Sequence, residues 1–346
     1  MLSSALMVET RGGRGRVGKA GSRGRPARRR GRWIPGLLLG GAVVGVPALA
    51  HALIHRRARP PRAPRWGRGH RYAGRAGDIV FQELGRGEPL LLLHSFGPGH
   101  DSGEWEAAAE MLAGRHAVFV PDLPGWARSE APAAYRPGAY VEAIADFLTN
   151  VVGERAVIVA AGLPAAYASE VAAAAGDAVR ALALVTPMGL EPESARRGAA
   201  AEAGLRRLAA LPLLGATALD LLTSRQVLTH HLRHEVYAAP ERVDAALVEH
   251  HYRTSHQREA RRALAAYLSG RLTPPADRLA ALLPAELPVW IAWGREAVQP
   301  PVACADLWLR RLPKAQIEVF EDTGGLPHAE RPAAFCRAFE AFLAGL

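Results

Sequence analysis

Val157-Ile158-Val159-Ala160-Ala161-Gly162-Leu163-Pro164-Ala165-Ala166-Tyr167 reads as a buried strand running straight into a helix of small residues. The run before Gly162 is apolar without alternation, as in a strand covered on both faces of a parallel sheet. A sharp strand-to-helix turn of this kind holds one residue up from the sheet in strained backbone angles. Here that residue is Gly162, which takes such angles cheaply but carries no hydroxyl, thiol or carboxylate.

Outward from this turn the chain alternates strands and helices. Asp78 to Leu84 alternates and ends at Gly85-Arg86-Gly87, and Pro89 to His94 is a leucine run typical of a central strand. A helix over about 104–114 leads to the strand Ala117-Val118-Phe119-Val120. Then follow a helix over 138–152, the strand 156–160, a helix over 165–175 and the strand 181–185. Such spacing predicts an α/β fold with a doubly wound, mostly parallel sheet.

Four ordered segments now carry a resemblance. His94-Ser95-Phe96-Gly97 is similar to the oxyanion-loop motif His-Gly-x-Gly of the α/β-hydrolase fold, and Asp122-Leu123-Pro124-Gly125-Trp126-Ala127-Arg128-Ser129 to its Asp-Leu-x-Gly-x-Gly-x-Ser segment. Pro288 to Gly294 resembles the family's strand ending in Trp-Gly, and Leu326-Pro327-His328-Ala329-Glu330-Arg331-Pro332 its Leu-Pro-His-x-Glu-x-Pro run. The resemblance covers residues 78–346 and implies a helical cap over about 191–287. The N-terminal segment and the Ala-Ala-Tyr after the turn also resemble a membrane-tethered bacterial subgroup.

It further implies three catalytic positions: a nucleophile at the turn, an acid three residues after Trp-Gly, and a histidine directly before Leu-Pro-His. Those positions hold Gly162, Ala297 and Gly325. The expectation is a hydrolase fold without its hydrolytic triad, keeping a capped pocket for a small acyl or lipid-like ligand. In that pocket the backbone N–H groups of Phe96 and Leu163 would bind an oxyanion or carboxylate. The competing expectation is an active esterase-like enzyme with a rearranged set: Ser95, His328 and Glu296 or Asp122. His94, His100, Asp101 and Ser102 are further polar residues of the same loop.

The front of the chain differs in composition. Residues 1–76 carry 18 Lys/Arg and one acid, Glu9, which leaves 25 basic against 32 acidic residues in the remainder. The net charge of +10 therefore belongs to a tail, and a mildly acidic body argues against a nucleic-acid-binding surface on the domain. Residues 1–32 are expected to be a disordered basic tail. Residues 33–54 carry no charge and are long enough for a bilayer core of roughly 30 Å, so they are expected to be a transmembrane anchor. An export signal cleaved near Ala50 is the alternative. Residues 55–77 are expected to be a basic linker, suited to anionic headgroups. A third, weaker expectation is an interaction protein acting through the Arg-rich tail.

Cys304 and Cys336, the only cysteines, give neither disulfide framework nor metal-ligand spacing and read as small core residues. His230, His231, His234, His250, His251 and His256 crowd the cap. Without a carboxylate cluster they read as solvated side chains rather than a metal site, and no cofactor motif is present. The number of copies is left open.

Overall fold

The computed structural model describes residues 64–191, 212–257, 259–282 and 287–346. The expected basic tail and membrane anchor, and the segment 192–211 of the cap, lie outside the described residues.

Eight strands form one sheet in the order β1-β2-β4-β3-β5-β6-β7-β8. They are β1 Arg68–Gly74, β2 Gly77–Leu84, β3 Glu88–Leu93, β4 His116–Pro121, β5 Ala156–Ala161, β6 Val179–Val185, β7 Val289–Gly294 and β8 Gln316–Phe320. β1 and β2 are antiparallel, and from β4 to β8 all neighbours are parallel. The doubly wound sheet expected from the strand–helix spacing is present. β1 corrects the expected linker: its residues pair with β2 in unbroken register from Arg68↔Glu83 to Gly74↔Gly77. The strand escaped detection because an edge strand needs little apolar surface and is protected from further pairing by charge. Only Tyr72 of β1 packs on the core, and its hydroxyl donates to Asp146 at 2.9 Å.

Side-chain alternation along the central strands divides the core into two layers. Leu91, Leu93, Ile158 and Ala160 point to one face, where helices α2 (Pro137–Phe147) and α3 (Pro164–Ala175) cover them. Leu90, Leu92, Val157, Val159 and Ala161 point to the other. There they meet α1 (Glu106–Leu112) and, from the chain's end, Phe335, Phe339 and Phe342. This two-sided burial is why the strands read as continuous apolar runs. The expected helix over 104–114 instead starts as a 3₁₀ turn, Ser102–Trp105, capped by Asp101, whose carboxylate accepts from the Gly103 N–H at 2.9 Å.

Between β6 and β7 lie the cap helices α4 (Pro212–Leu222), α5 (Arg225–His231), α6 (Ala245–Ser255), α7 (Ala260–Leu268) and α8 (Ala276–Leu282). The cap has its own small core of Leu228, Leu232, Val236, Val243 and Val248, closed from the sheet side by Leu326. After β7 come α9 (Ala305–Leu309), α10 (Pro327–Glu330) and α11 (Pro332–Leu343). Among the described residues no helix is long and apolar enough to cross a membrane.

Candidate active site

The carboxyl ends of β3, β5 and β6 converge under the cap around a cavity of about 650 Å³. Ser95, Phe96, Gly97, Pro98 and His100 line it from the loop after β3, and Gly162 and Leu163 from the turn after β5. Gly162 sits at φ +61°, in the left-handed region. Its N–H donates to the Val185 carbonyl at 2.9 Å, and its carbonyl accepts from the Met188 N–H at 3.1 Å. A Cβ placed on Gly162 would lie 3.3 Å from the Ser95 Cβ. The space into which a side chain at the turn would project is thus shared with Ser95.

The loop after β3 is fixed by aromatic packing and by a carboxylate. Phe96 stacks on Trp126 at 4.5 Å between centroids and packs against Tyr140 and Tyr167. Glu104, on the 3₁₀ turn, reaches back under the loop. Its Oε1 accepts from the Ser95 N–H, and its Oε2 from the Ser95 hydroxyl, both at 2.7 Å. His100 Nδ1 lies 2.9 Å from the same Oε2 and 2.7 Å from Ser95 Oγ. His328 approaches from behind, with Nε2 3.4 Å from Glu104 Oε1 and its ring stacked 3.7 Å from Trp105.

Burial alone would raise the Glu104 pKa, but the contacts from His100 and then His328 outweigh it and hold the group well below the ordinary carboxylate range. Glu104 is therefore an anion at neutral pH that accepts hydrogen bonds. Burial lowers His328 below the ordinary imidazole value, so that ring is neutral.

The cap is clasped to this loop by α6. His250 Nε2 lies 3.0 Å from the Asp101 carboxylate, and the His251 Nδ1–H donates to the Pro98 carbonyl at 2.8 Å. A Cβ at Gly99, φ +79°, would run into the His251 backbone, so loop and helix meet backbone to backbone. Burial lowers His251 to about 3, leaving it neutral. Burial opposes the charge on Asp101, yet His250 and then Arg128 and His94 draw it down to about 2. His251 and His256 are buried, which corrects the expectation of solvated cap histidines. Their ring nitrogens are used to bond the backbone carbonyls of Pro98 and Tyr252. Among the described residues no group of three His, Cys, Asp or Glu is placed to hold a metal.

The residues singled out from the sequence separate clearly. Gly162 and Gly325 lie on the cavity wall, as do Phe96 and Leu163; Ala297 is buried after β7. Neither the Phe96 nor the Leu163 amide has a protein acceptor among the described residues. Of the proposed substitutes, only Ser95 reaches the cavity. Asp122 is fully buried, accepting from the Ser102 N–H and from Arg128 Nε at 2.7 Å. Glu296 is exposed and accepts from the Thr323 N–H. Neither carboxylate meets Ser95 or His328, because each is committed to its own backbone segment. Glu104 went unrecognised. Its signal was the i, i+4 spacing from His100, which puts both on one side of the turn. Cys336 is buried as expected, whereas Cys304 lies half-buried on the cavity wall.

Comparison with known proteins agrees with this arrangement. A family model described as the alpha/beta hydrolase family matches residues 90–338. Uncharacterized protein Rv2715 of Mycobacterium tuberculosis is 29% identical over 288 residues, which cover 76% of this chain and 77% of the relative. Among solved structures, Cfl2 of Burkholderia cenocepacia superposes with a TM-score of 0.68 at 23% identity, over 82% of this chain and 99% of its own. A membrane phospholipase A, described as a bacterial virulence factor, superposes with a TM-score of 0.64 at 23% identity, over 91% of this chain and 98% of its own. With the sheet, the turn at Gly162 and the cap in place, the chain belongs to the alpha/beta hydrolase family.

Proposed function

We propose that this chain binds a small acyl or lipid-like ligand in the capped cavity, with no covalent attack from the turn at Gly162, and that residues 33–54 tether it to a membrane. One observation carries the reading: a cavity of about 650 Å³ has its wall at Gly162 and Gly325, where the family's nucleophile and histidine would stand. The volume suits a small ligand. Most of the wall is apolar, with Met188, Val227, Tyr267, Leu268, Val298 and Leu326 among its residues. A carbonyl or carboxylate oxygen would accept from the buried amides of Phe96 and Leu163, which have no acceptor among the described residues. The solved neighbour named as a membrane phospholipase is consistent with a lipid-like ligand and a membrane location.

The reading is tested on the full chain with octanoate, decanoate and their methyl esters, by thermal shift and calorimetry. Saturable binding that raises Tm, and that is lost when Met188→Arg fills the cavity, is the expected result. Absence of binding by every member of the series overturns the ligand-binding reading. Labelling of the protein by a fluorophosphonate overturns the absence of a covalent nucleophile.

A further inference from the structure

We infer that His100, held by Glu104, is a general base facing the cavity, so that the loop after β3 supplies the proton-accepting group missing from position 325. The inference rests on the cavity reading above and adds chemistry to it. His100 Nδ1 sits against the Glu104 carboxylate at 2.9 Å and the Ser95 hydroxyl at 2.7 Å. Glu104 is anionic, buried and supplied with further hydrogen bonds by Ser95. An anionic acceptor at Nδ1 selects the tautomer that carries its proton there, leaving the Nε2 lone pair free.

The ring's surroundings direct that lone pair. His100 is 5% exposed and lines the cavity. Its Nε2 has no protein partner among the described residues, yet it is not among the sealed, unpartnered polar atoms of the interior. The nitrogen is therefore reached from the cavity. Gly97 makes room for it: a Cβ there would lie 2.6 Å from His100 Cδ2 and 3.0 Å from Nε2. Behind the ring, His251 packs edge-on at 5.2 Å and is itself neutral, with its Nδ1 proton given to Pro98. A carboxylate orienting an imidazole is the arrangement general-base catalysis requires.

The same geometry takes the nucleophile's role away from Ser95. Its hydroxyl lies on the Nδ1 side of His100 and donates to Glu104, so Nε2 cannot take its proton. Ser95 and Glu104 are positioning residues, and the reacting nucleophile is water. The substrate class is an acyl ester with a good leaving group, its carbonyl oxygen held by the Phe96 and Leu163 amides. Water attached to Nε2 gives up a proton to it while the water oxygen bonds to the acyl carbon. The carbonyl electron pair moves onto the oxyanion. When it returns, the bond to the leaving oxygen breaks and the His100 imidazolium returns the proton to that oxygen. The products are one carboxylic acid and one alcohol, with no acyl-enzyme formed.

The full chain is assayed with p-nitrophenyl octanoate alongside octanoate binding. Expected are steady turnover without a burst, a loss of at least a hundredfold in kcat for His100→Gln, and partial rescue of His100→Gly by added imidazole. Ser95→Ala should lose only several-fold. Glu104→Gln should lower kcat with KM little changed and abolish the downfield NMR resonance of the His100 Nδ1 proton, whereas Glu104→Asp keeps part of both. Octanoate binding without any ester turnover overturns this inference and leaves the binding function standing; absence of both removes the two together. A burst of p-nitrophenol, or Ser95→Ala as inactive as His100→Gln, would make Ser95 the nucleophile and also sinks the proposal.

Discussion

At the residue scale, the decisive relation is between Gly162 and Ser95. A Cβ at Gly162 would press on the Ser95 Cβ at 3.3 Å, so side chains at the two positions compete for one volume. Gly162→Ser is expected to produce no burst phase and no gain in ester turnover over the native protein, and to destabilise by about 1–3 kcal/mol, the scale of a non-glycine residue held at positive φ beside a tight contact. Adding Ser95→Gly should recover part of that loss, which urea unfolding of both variants measures. Thr186 gives a second, independent test. It lines the cavity at φ +42°, and its buried hydroxyl has no partner among the described residues. Thr186→Val removes that unsatisfied group while keeping the shape, so stability should rise by about 1 kcal/mol, read as a higher urea midpoint at constant slope. Neither relation was legible in the sequence. The empty position at Gly162 was, because one residue follows the strand directly. Its pairing with Ser95 joins residues far apart in sequence and needed the folded chain.

At the scale of elements, the loop after β3 and helix α6 form one unit. Asp101 caps the 3₁₀ turn and pairs with His250 of the cap, while Arg128 and Asp122 supply the other charges that bear on this pair, with the His94 ring beside them. Asp101 has its pKa depressed, so its contribution to stability is present above its ordinary value of 3.8 and is lost as pH falls toward about 2. His250 has its pKa raised by Asp101 against the opposing effect of burial. Its contribution is therefore present below 6.5 and is lost as pH rises through the raised value. The Tm difference between the native protein and Asp101→Asn should thus be largest between about pH 4 and 6.5 and shrink on both sides. Scanning calorimetry across pH 3 to 9 checks it, and a difference independent of pH would exclude the pair as its source. Motif spacing located the loop and the cap, but not the clasp. Histidines on an amphipathic helix read as a solvated face until the partner surface is known.

For the whole molecule, the described strands pair without a break from β1 to β8 in one sheet. Residues 64–346 expressed alone should melt at the temperature of the full chain and bind octanoate equally well. If residues 33–54 are the tether, the full chain should sediment with anionic vesicles while 64–346 stays in the supernatant; co-sedimentation of both would place membrane binding in the folded domain.

The sequence by itself determined the order of the central strands and their helices, the two-sided burial of those strands and the glycine at the turn, because each is written in neighbouring residues through hydrophobic period and steric preference; the edge strands β1 and β8 carry too little apolar pattern to be read that way. It also separated a basic front from an acidic body. Only the tertiary structure decided which polar groups act together. Asp122 and Glu296, plausible by motif, are spent on their own loops, whereas Glu104, unmarked by any motif, holds Ser95 and His100 at the cavity. Burial and partnership decide whether a carboxylate is structural or chemical, and both are set by elements brought together from distant parts of the chain.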